Sequence, residues 1–408
     1  MAESIPLCDL PYHFLLPSGL PPLSSITRYC EPDEVSWFLR HINQSLEEKR
    51  KIFLAWNDRS RELFGRIPDA DAGELSHIHA ECNLTEMERF LFTSSVPALH
   101  HNCTHYRDLI ASRGVELAFE SMDARGRKRP GLPFALISMG SDGRKEQTLI
   151  TDQDYMIVYG DDGGEEADSY FLEYSNILVD ILEESGFKKC IGEIMPSNPI
   201  WRGSYAKWRK RLLSVMRYET EDYAKNIMNL IVLSDARYVA GERDIAEKLV
   251  SMIKNMERDY FQVLWGMARA ATEMKLALGF MKKIWTEGSG EHNGSFNLKL
   301  LAWAPLVMNV RIISINQGIP ATSTVERIEM LEAEGSFSST FAKELKEAYH
   351  VLTKHRILLQ IKVIKGIQKD SHYMNPFELP RDEREKIRHA MLKIEELQKI
   401  IHANFNIL

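Results

Sequence analysis

Two different periods of hydrophobic positions divide the 408-residue chain. In residues 34–64 and 76–119, apolar residues recur every three or four positions, which is the period of an amphipathic helix. The next segment predicts strand, strand, helix and strand in turn, at residues 134–139, 153–159, 169–184 and 187–195. From about residue 219 onward the pattern is helical again, and no convincing strand is predicted there.

These periods predict an α+β fold that is mostly α, in three regions. Residues 1–125 are the N-terminal helical region, which starts with a Pro-rich stretch at 16–22. A basic loop with Gly and Pro at residues 125–131 leads into the α/β core, a small mixed sheet at 126–218. Residues 219–408 are predicted to form a helical bundle of five or six helices, one of them opened by a capping box at Ser323 and Glu326.

The turn between the first two predicted strands carries the strongest chemical signal. Residues 140–154 read Gly-Ser-Asp-Gly-Arg-Lys-Glu-Gln-Thr-Leu-Ile-Thr-Asp-Gln-Asp. Asp152 and Asp154 lie two positions apart where the second strand begins, so both carboxylates are expected on one face. Gly140 and Ser141 let the backbone approach phosphate groups and supply amide and hydroxyl donors. The segment therefore predicts a site for a nucleoside triphosphate with a divalent ion, Mg²⁺ or Mn²⁺.

Each half of this segment, taken alone, is also typical of an ordinary turn or of solvated aspartates. The two halves together fix seven positions at a set spacing, which chance rarely assembles: Gly140, Ser141, Gly143, Arg144, Glu146, Asp152 and Asp154. We therefore interpret the segment as functional.

The segment resembles the DNA polymerase β superfamily of nucleotidyltransferases, in which a Gly-Ser turn precedes an Asp-x-Asp strand. Gly-Ser-x-Gly-Arg-x-Glu-Gln followed by Thr-Asp-Gln-Asp is similar to a narrower group, the nucleotidyltransferases related to the bacterial uridylyltransferase that modifies the nitrogen-regulatory PII protein. The similarity covers roughly residues 100–405, and its C-terminal part resembles the substrate-binding domain of that group, at residues 297–299, 318–319, 323–327 and 375–376.

The resemblance implies transfer of a nucleoside monophosphate from a triphosphate to an acceptor hydroxyl, on a protein or a small molecule, in signal transduction. Asp152 and Asp154 are then the catalytic metal ligands, and Gly140 and Ser141 position the β- and γ-phosphates. Arg144 and Lys145 would offset phosphate charge. The other predicted nucleotide-binding residues are Gly143, Gln147 and Thr151. Of these, Gln147 or Thr151 would orient a phosphate or an aspartate.

The superfamily usually supplies a third catalytic carboxylate from a strand after the helix. Glu193 lies at that place and is the predicted third carboxylate. Asp235 is a second candidate, although beside Arg237 it is also typical of a structural ion pair. If neither serves, the site binds nucleotide but turns it over poorly. Two alternatives therefore stay open: a catalytically weak nucleotide-sensing regulatory protein that docks a partner, and an antitoxin-like modifier of a partner protein.

Composition constrains partners and compartment. The net charge of −7 argues against a general nucleic-acid binder. The sequence has no apolar run long enough to span a bilayer and no signal core, so no membrane partner is expected. The odd number of scattered cysteines predicts free thiols in a reducing compartment, hence a cytoplasmic protein; they are Cys8, Cys30, Cys82, Cys103 and Cys190.

Two further clusters each allow two interpretations. The histidines and cysteines at 77–82 and 100–105 could be zinc ligands, but their spacing matches no standard finger and favours histidines that satisfy hydrogen bonds on helix faces. Residues 201–217 carry six basic residues and no acid. They form either an amphipathic helix that packs its aromatic side chains, or a basic face that closes over a triphosphate or an acidic partner.

Overall fold

The computed structural model describes residues 32–219 and 222–407, and it describes side chains from residue 40 onward. Within these ranges the chain has thirteen α-helices and six short strands. The predicted class, α+β and mostly α, is confirmed. The Pro-rich stretch at 16–22 and the thiols of Cys8 and Cys30 lie outside the described residues.

Three helices precede the sheet: α1 (Pro32–Arg66), α2 (Ala72–Thr93) and α3 (Val96–Ala124). They confirm the helical period predicted for the N-terminal region. The side chain of Asp71 accepts a hydrogen bond from the Glu74 N–H and caps α2, and Ser95 caps α3 in the same way through the Ala98 N–H. Helix α3 packs along α2 and reaches the sheet.

A four-stranded mixed sheet forms the centre of the fold, in the order β3-β2-β1-β4. Strand β1 (Phe134–Ser138) pairs antiparallel with both β2 (Tyr155–Tyr159) and β4 (Arg237–Gly241), and β2 pairs parallel with β3 (Arg202–Ser204). Every residue of β1 and β2 is buried, as expected for central strands that are covered on both faces. The predicted small mixed sheet is confirmed.

Two strand predictions were wrong. Residues 187–195 are mostly irregular, with a turn at 191–192 and one isolated bridge between Lys188 and Asp152, and the third strand is β3 instead. Strand β4 lies beyond residue 219, where no strand was expected, and so do two further strands of two residues each, Phe296–Asn297 and Tyr373–Met374. Strand β3 has only three residues, and β4 is partly buried at its first three positions without a clear alternation, so local periodicity carries little signal for either. The α/β unit therefore continues past residue 218.

Five helices surround the sheet and its loops: α4 (Gly140–Gly143), α5 (Gly164–Glu184), α6 (Tyr205–Met216), α7 (Tyr223–Leu233) and α8 (Arg243–Asp259). Helix α5 packs against α3 and stacks Phe171 on Phe134 of β1, with ring centroids 5.6 Å apart. Helix α8 contacts β1, β2 and β4, which places it with the sheet.

The remaining helices form the predicted bundle: α9 (Phe261–Thr272), α10 (Ala304–Asn316), α11 (Thr324–Ala333), α12 (Ser339–Ile364) and α13 (Arg381–Phe405). A π-helical turn, Lys299–Trp303, leads into α10, and the two-residue strands β5 (Phe296–Asn297) and β6 (Tyr373–Met374) pair beside it. Among the described residues, no helix is both long and apolar enough to cross a membrane.

The capping box predicted for α11 is only partly right. The helix begins at Thr324 as expected, but the Ser323 side chain makes no capping hydrogen bond. Instead, Glu146 of the Gly-Ser segment accepts a hydrogen bond from the Thr324 N–H at 2.6 Å. A carboxylate from the α/β unit thus satisfies a free donor at the start of a bundle helix, where negative charge is favourable.

Asp235, between α7 and β4, joins the bundle to the sheet. Its fully buried carboxylate accepts hydrogen bonds from three guanidinium groups: Arg144 at 2.6 Å, Arg327 at 3.0 Å and Arg311 at 3.1 Å. Asp235 forms a structural ion pair, as its sequence context indicated, but not with Arg237. Arg237 pairs instead with the carboxylates of Asp108 and Asp142.

The charge of Asp235 is maintained by these arginines. Burial by itself raises the pKa of a carboxyl group, but Arg311, Arg144 and Arg327 outweigh burial and lower the pKa of Asp235 below its usual value. Asp235 is therefore a charged group in a dry interior. Its carboxylate and the three guanidinium groups each need the opposite charge to be stable there.

The substitution Asp235→Asn keeps the shape of the side chain and removes the negative charge that the three arginines share. We expect a loss of stability of roughly 3–5 kcal/mol, because it leaves buried cations without compensation. Thermal and urea melts would detect it. The matched control is Asp259→Asn, since Asp259 is exposed and, among the residues that the structure describes, pairs with its neighbour Arg258 alone. Similar midpoints for the two variants would contradict this role.

Candidate functional site

The paired carboxylates lie together on the accessible side of the sheet. Gln153, between them, is fully buried, and its amide donates to the carbonyl oxygens of Val179 at 3.1 Å and Phe187 at 3.3 Å. Because successive residues of extended chain point in opposite directions, Asp152 and Asp154 point the other way. Asp152 is exposed and Asp154 is partly buried.

The Gly-Ser turn touches the second of these carboxylates. Gly140 has a left-handed backbone, with φ of 57°, and a Cβ atom at this position would lie 2.5 Å from Oδ2 of Asp154. Glycine is therefore required both by the conformation and by the contact. Ser141, the next residue, is partly exposed at the start of the short helix α4. The backbone of this turn and the acidic pair form one continuous surface.

The electrostatics of the acidic pair suit a divalent cation. Burial raises the pKa of Asp154 to about 6; a hydrogen bond from the Cys190 thiol opposes this shift, and the charges of Asp152 and Asp142 add to it. Among the side chains that the structure describes, no three His, Cys, Asp or Glu groups gather into a metal site. Two carboxylates supplemented by phosphate oxygens and water are a usual ligand set for Mg²⁺, so the residues fit such an ion.

Several other predicted site residues point into the protein. A Cβ atom at Gly143 would lie 2.0 Å from the backbone oxygen of Asp235, so this glycine permits close packing. Arg144 is buried and donates to Glu146 at 2.8 Å as well as to Asp235. Gln147 and Thr151 are also buried.

Lys145 and Glu193 lie on the surface. Lys145 is exposed two residues after the end of α4, in a left-handed conformation with φ of 56°. Glu193 is exposed in a turn that is closed by a hydrogen bond from its N–H to the Cys190 carbonyl oxygen at 3.0 Å. The strand that was expected to carry Glu193 toward the aspartates is absent from residues 187–195. The accessible residues of the predicted site are thus Gly140, Ser141, Lys145, Asp152, Asp154 and Glu193.

Arg107 of α3 holds the loop of the site in place, and the sequence interpretation missed it. It is fully buried, and Nη1 donates to the Thr148 carbonyl oxygen at 2.6 Å while Nη2 donates to that of Leu149 at 3.3 Å. Its position is at helical spacing from the buried residues Cys103 and Ile110. The sequence does indicate Arg107, because it places a charged residue at a core position of the helix. A buried charge needs partners, so such a residue is a candidate for holding another segment in place.

Two histidines of the clusters at 77–105 also serve the fold. Nδ1 of His79 bonds the Ser185 carbonyl oxygen at 2.8 Å, and its Nε2 accepts from Arg107 at 3.1 Å. His100 bonds the Gln147 carbonyl oxygen at 2.8 Å through Nδ1 and the Tyr349 hydroxyl through Nε2. The interpretation that these histidines satisfy hydrogen bonds on helix faces is confirmed for both.

The basic stretch at 201–217 packs mainly against the sheet. Trp208 is buried and its indole N–H donates to the Ile157 carbonyl oxygen at 3.0 Å. Arg202 donates to the Pro196 carbonyl oxygen at 2.5 Å, and Arg211 donates to that of Arg202 at 2.9 Å. The amphipathic interpretation is confirmed for these residues.

The small mixed sheet, the Gly-Ser turn and the adjacent acidic pair are the features expected of a nucleotidyltransferase. Residues 82–222 match the family described as "Putative nucleotidyltransferase DUF294", and residues 261–405 match its partner domain, described as "Putative nucleotidyltransferase substrate binding domain". The chain belongs to this nucleotidyltransferase family and carries its C-terminal domain, which coincides with α9 to α13. No curated protein matches the chain.

The substitution Gly140→Ala tests the contact between turn and carboxylate. The added methyl group would displace the Asp154 side chain, so we expect the affinity for Mg²⁺ with nucleoside triphosphate, measured by calorimetry, to fall roughly ten-fold or more. The matched control is Gly126→Ala, because Gly126 also has positive φ (73°) but has open space around its Cβ position. An equal loss of affinity in both variants would assign the effect to backbone strain alone.

Proposed function

We propose that this protein transfers a nucleoside monophosphate from a nucleoside triphosphate to an acceptor hydroxyl, and that the reaction depends on Mg²⁺ or Mn²⁺. The observation that supports this most is the contact of Gly140 with Asp154, beside Asp152. It joins a turn that suits phosphate groups to a pair of carboxylates that suits a divalent ion.

In this proposal Asp152 and Asp154 hold the divalent ion. When bound, the ion would neutralise phosphate charge. The amides of Gly140 and Ser141 and the Ser141 hydroxyl orient the phosphate chain, and the exposed ammonium of Lys145 offsets its charge. The acceptor oxygen forms a bond to the α-phosphorus as the bond from that phosphorus to the pyrophosphate oxygen breaks. One of the two carboxylates takes the hydroxyl proton.

The acceptor is proposed to be a hydroxyl on a protein, as in signal transduction by related uridylyltransferases, with a small molecule as the other possibility. The α/β unit is small, and a neighbouring domain offers more surface for choosing an acceptor. The five-helix bundle at residues 261–405 supports this division of labour, because it packs directly against the loop of the site.

One observation favours a second candidate function, a nucleotide-sensing module that docks a partner and turns nucleotide over slowly. Glu193, the predicted third carboxylate, lies in an exposed turn rather than on a strand beside the aspartates. The two candidates differ in a simple assay with each labelled triphosphate and Mg²⁺. Release of pyrophosphate or labelling of a protein identifies the transferase, whereas tight binding without release identifies the sensor.

Asp152→Asn and Asp154→Asn each remove one negative ligand and preserve side-chain shape. We expect each variant to lose Mg²⁺-dependent triphosphate binding by roughly 100-fold or more, with an unchanged melting temperature. Asp162→Asn is the control, because Asp162 is exposed in the turn after β2. If calorimetry gave wild-type affinity for both site variants in the presence of Mg²⁺, the proposed metal role would be refuted.

A further inference from the structure

Helix α12 of the bundle lies directly over the loop of the site. Three of its side chains, spaced four and then seven residues apart on one helix face, bond other parts of the structure. The Tyr349 hydroxyl bonds His100 at 3.1 Å, Thr353 accepts from the Trp303 indole at 3.0 Å, and Gln360 bonds the backbone N–H and carbonyl oxygen of Ile150 at 3.3 and 3.4 Å. Ile150 is two residues before Asp152, so this face of α12 is fixed beside the acidic pair.

Arg356 lies on the same face of α12, one helical turn before Gln360. Its guanidinium stacks on the Trp303 ring, with Cζ 3.8 Å from the ring centroid. Arg144 approaches the same ring at 5.6 Å but is neutralised by Glu146 and Asp235. Arg356 is partly buried, and among the described residues it forms neither a hydrogen bond nor an ion pair. It is thus held in place by stacking while its donors stay unused.

Lys299 adds a second cation at this place. It starts the π-helical turn that ends at Trp303, and the N–H of the preceding Leu298 bonds the His372 carbonyl oxygen at 2.8 Å. Lys299 is partly buried, and its ammonium has no ion pair within the described part of the chain. Burial and the charge of Arg356 lower the pKa of Lys299, whereas Asp152 and Asp154 raise it, so Lys299 lies within electrostatic range of both Arg356 and the acidic pair.

Partly buried cations without an anionic partner are costly unless a ligand supplies the anion. A lysine ammonium coupled to the acidic pair, with an arginine fork one helical turn from the contact of Gln360 with Ile150, matches the alternating charges of a polyphosphate with its divalent ion.

We propose that Arg356 and Lys299 bind the β- and γ-phosphates of the nucleotide, so that the bundle completes the triphosphate site instead of serving the acceptor alone. This inference rests on the proposed function, because it assumes that the acidic pair binds a triphosphate with its ion. If the inference is correct, the C-terminal domain contributes directly to the affinity for the nucleotide.

The test is calorimetry of the full chain with Mg²⁺ and each of ATP, GTP, CTP and UTP, followed by the monophosphate of whichever base binds. Arg356→Gln and Lys299→Gln should each weaken triphosphate binding roughly ten- to hundred-fold, as expected for loss of charged hydrogen bonds. Binding of the monophosphate should change much less, and Arg356→Lys should recover part of the affinity because it keeps the charge.

The controls are Lys354→Gln and Arg388→Gln, which remove cations that already pair with Glu383 and Glu385. Both should bind as the wild type does. Wild-type triphosphate affinity in Arg356→Gln and Lys299→Gln variants of unchanged melting temperature would overturn the inference and leave the proposed function standing. An equal loss for the monophosphate would also overturn it. A wild-type chain that binds no triphosphate would instead refute the proposed function itself.

Discussion

The buried charge of Asp235 is the constraint on which the arrangement of this protein depends. A carboxylate in a dry interior must be paired, and here the pairing draws arginines from the Gly-Ser segment and from two bundle helices to one point. The loop that carries the acidic pair and the domain that covers it are therefore held in one geometry. The close approach of Gly143 to the Asp235 backbone is part of the same packing.

The Gly-Ser segment has two sides with different tasks. Gly140, Ser141, Asp152 and Asp154 face the accessible surface, whereas Gly143, Arg144, Glu146 and Gln147 face inward and bond the rest of the protein. The inward residues hold the outward ones: Glu146 caps α11, and Arg107 and His100 fix the loop from the other side. The proposed nucleotidyl transfer requires accurate placement of its reacting groups, and these inward contacts would provide it.

The bundle packs on the loop that carries the acidic pair. Helix α12 bonds the loop through Gln360 and presents Arg356 beside it, while the π-helical turn presents Lys299. If these cations bind the phosphate chain, nucleotide binding and the seating of the two domains are coupled, since a ligand that contacts both stabilises their contact. Acceptor recognition and nucleotide recognition would then share one surface of the bundle.

The sequence by itself determined the elements with strong local periodicity, namely strands β1 and β2 and the helical regions on either side of the sheet. It also determined the alternation that directs Asp152 and Asp154 to one side of the chain. It also located the turn at Gly140, because glycine and paired carboxylates carry local signals. Only the tertiary structure decided which motif residues face inward, since Arg144 finds its partner Asp235 far along the chain. The short strands β3 and β4, the turn at Glu193 and the cations Arg356 and Lys299 were likewise settled by contacts between distant segments, which local patterns of one sequence do not encode.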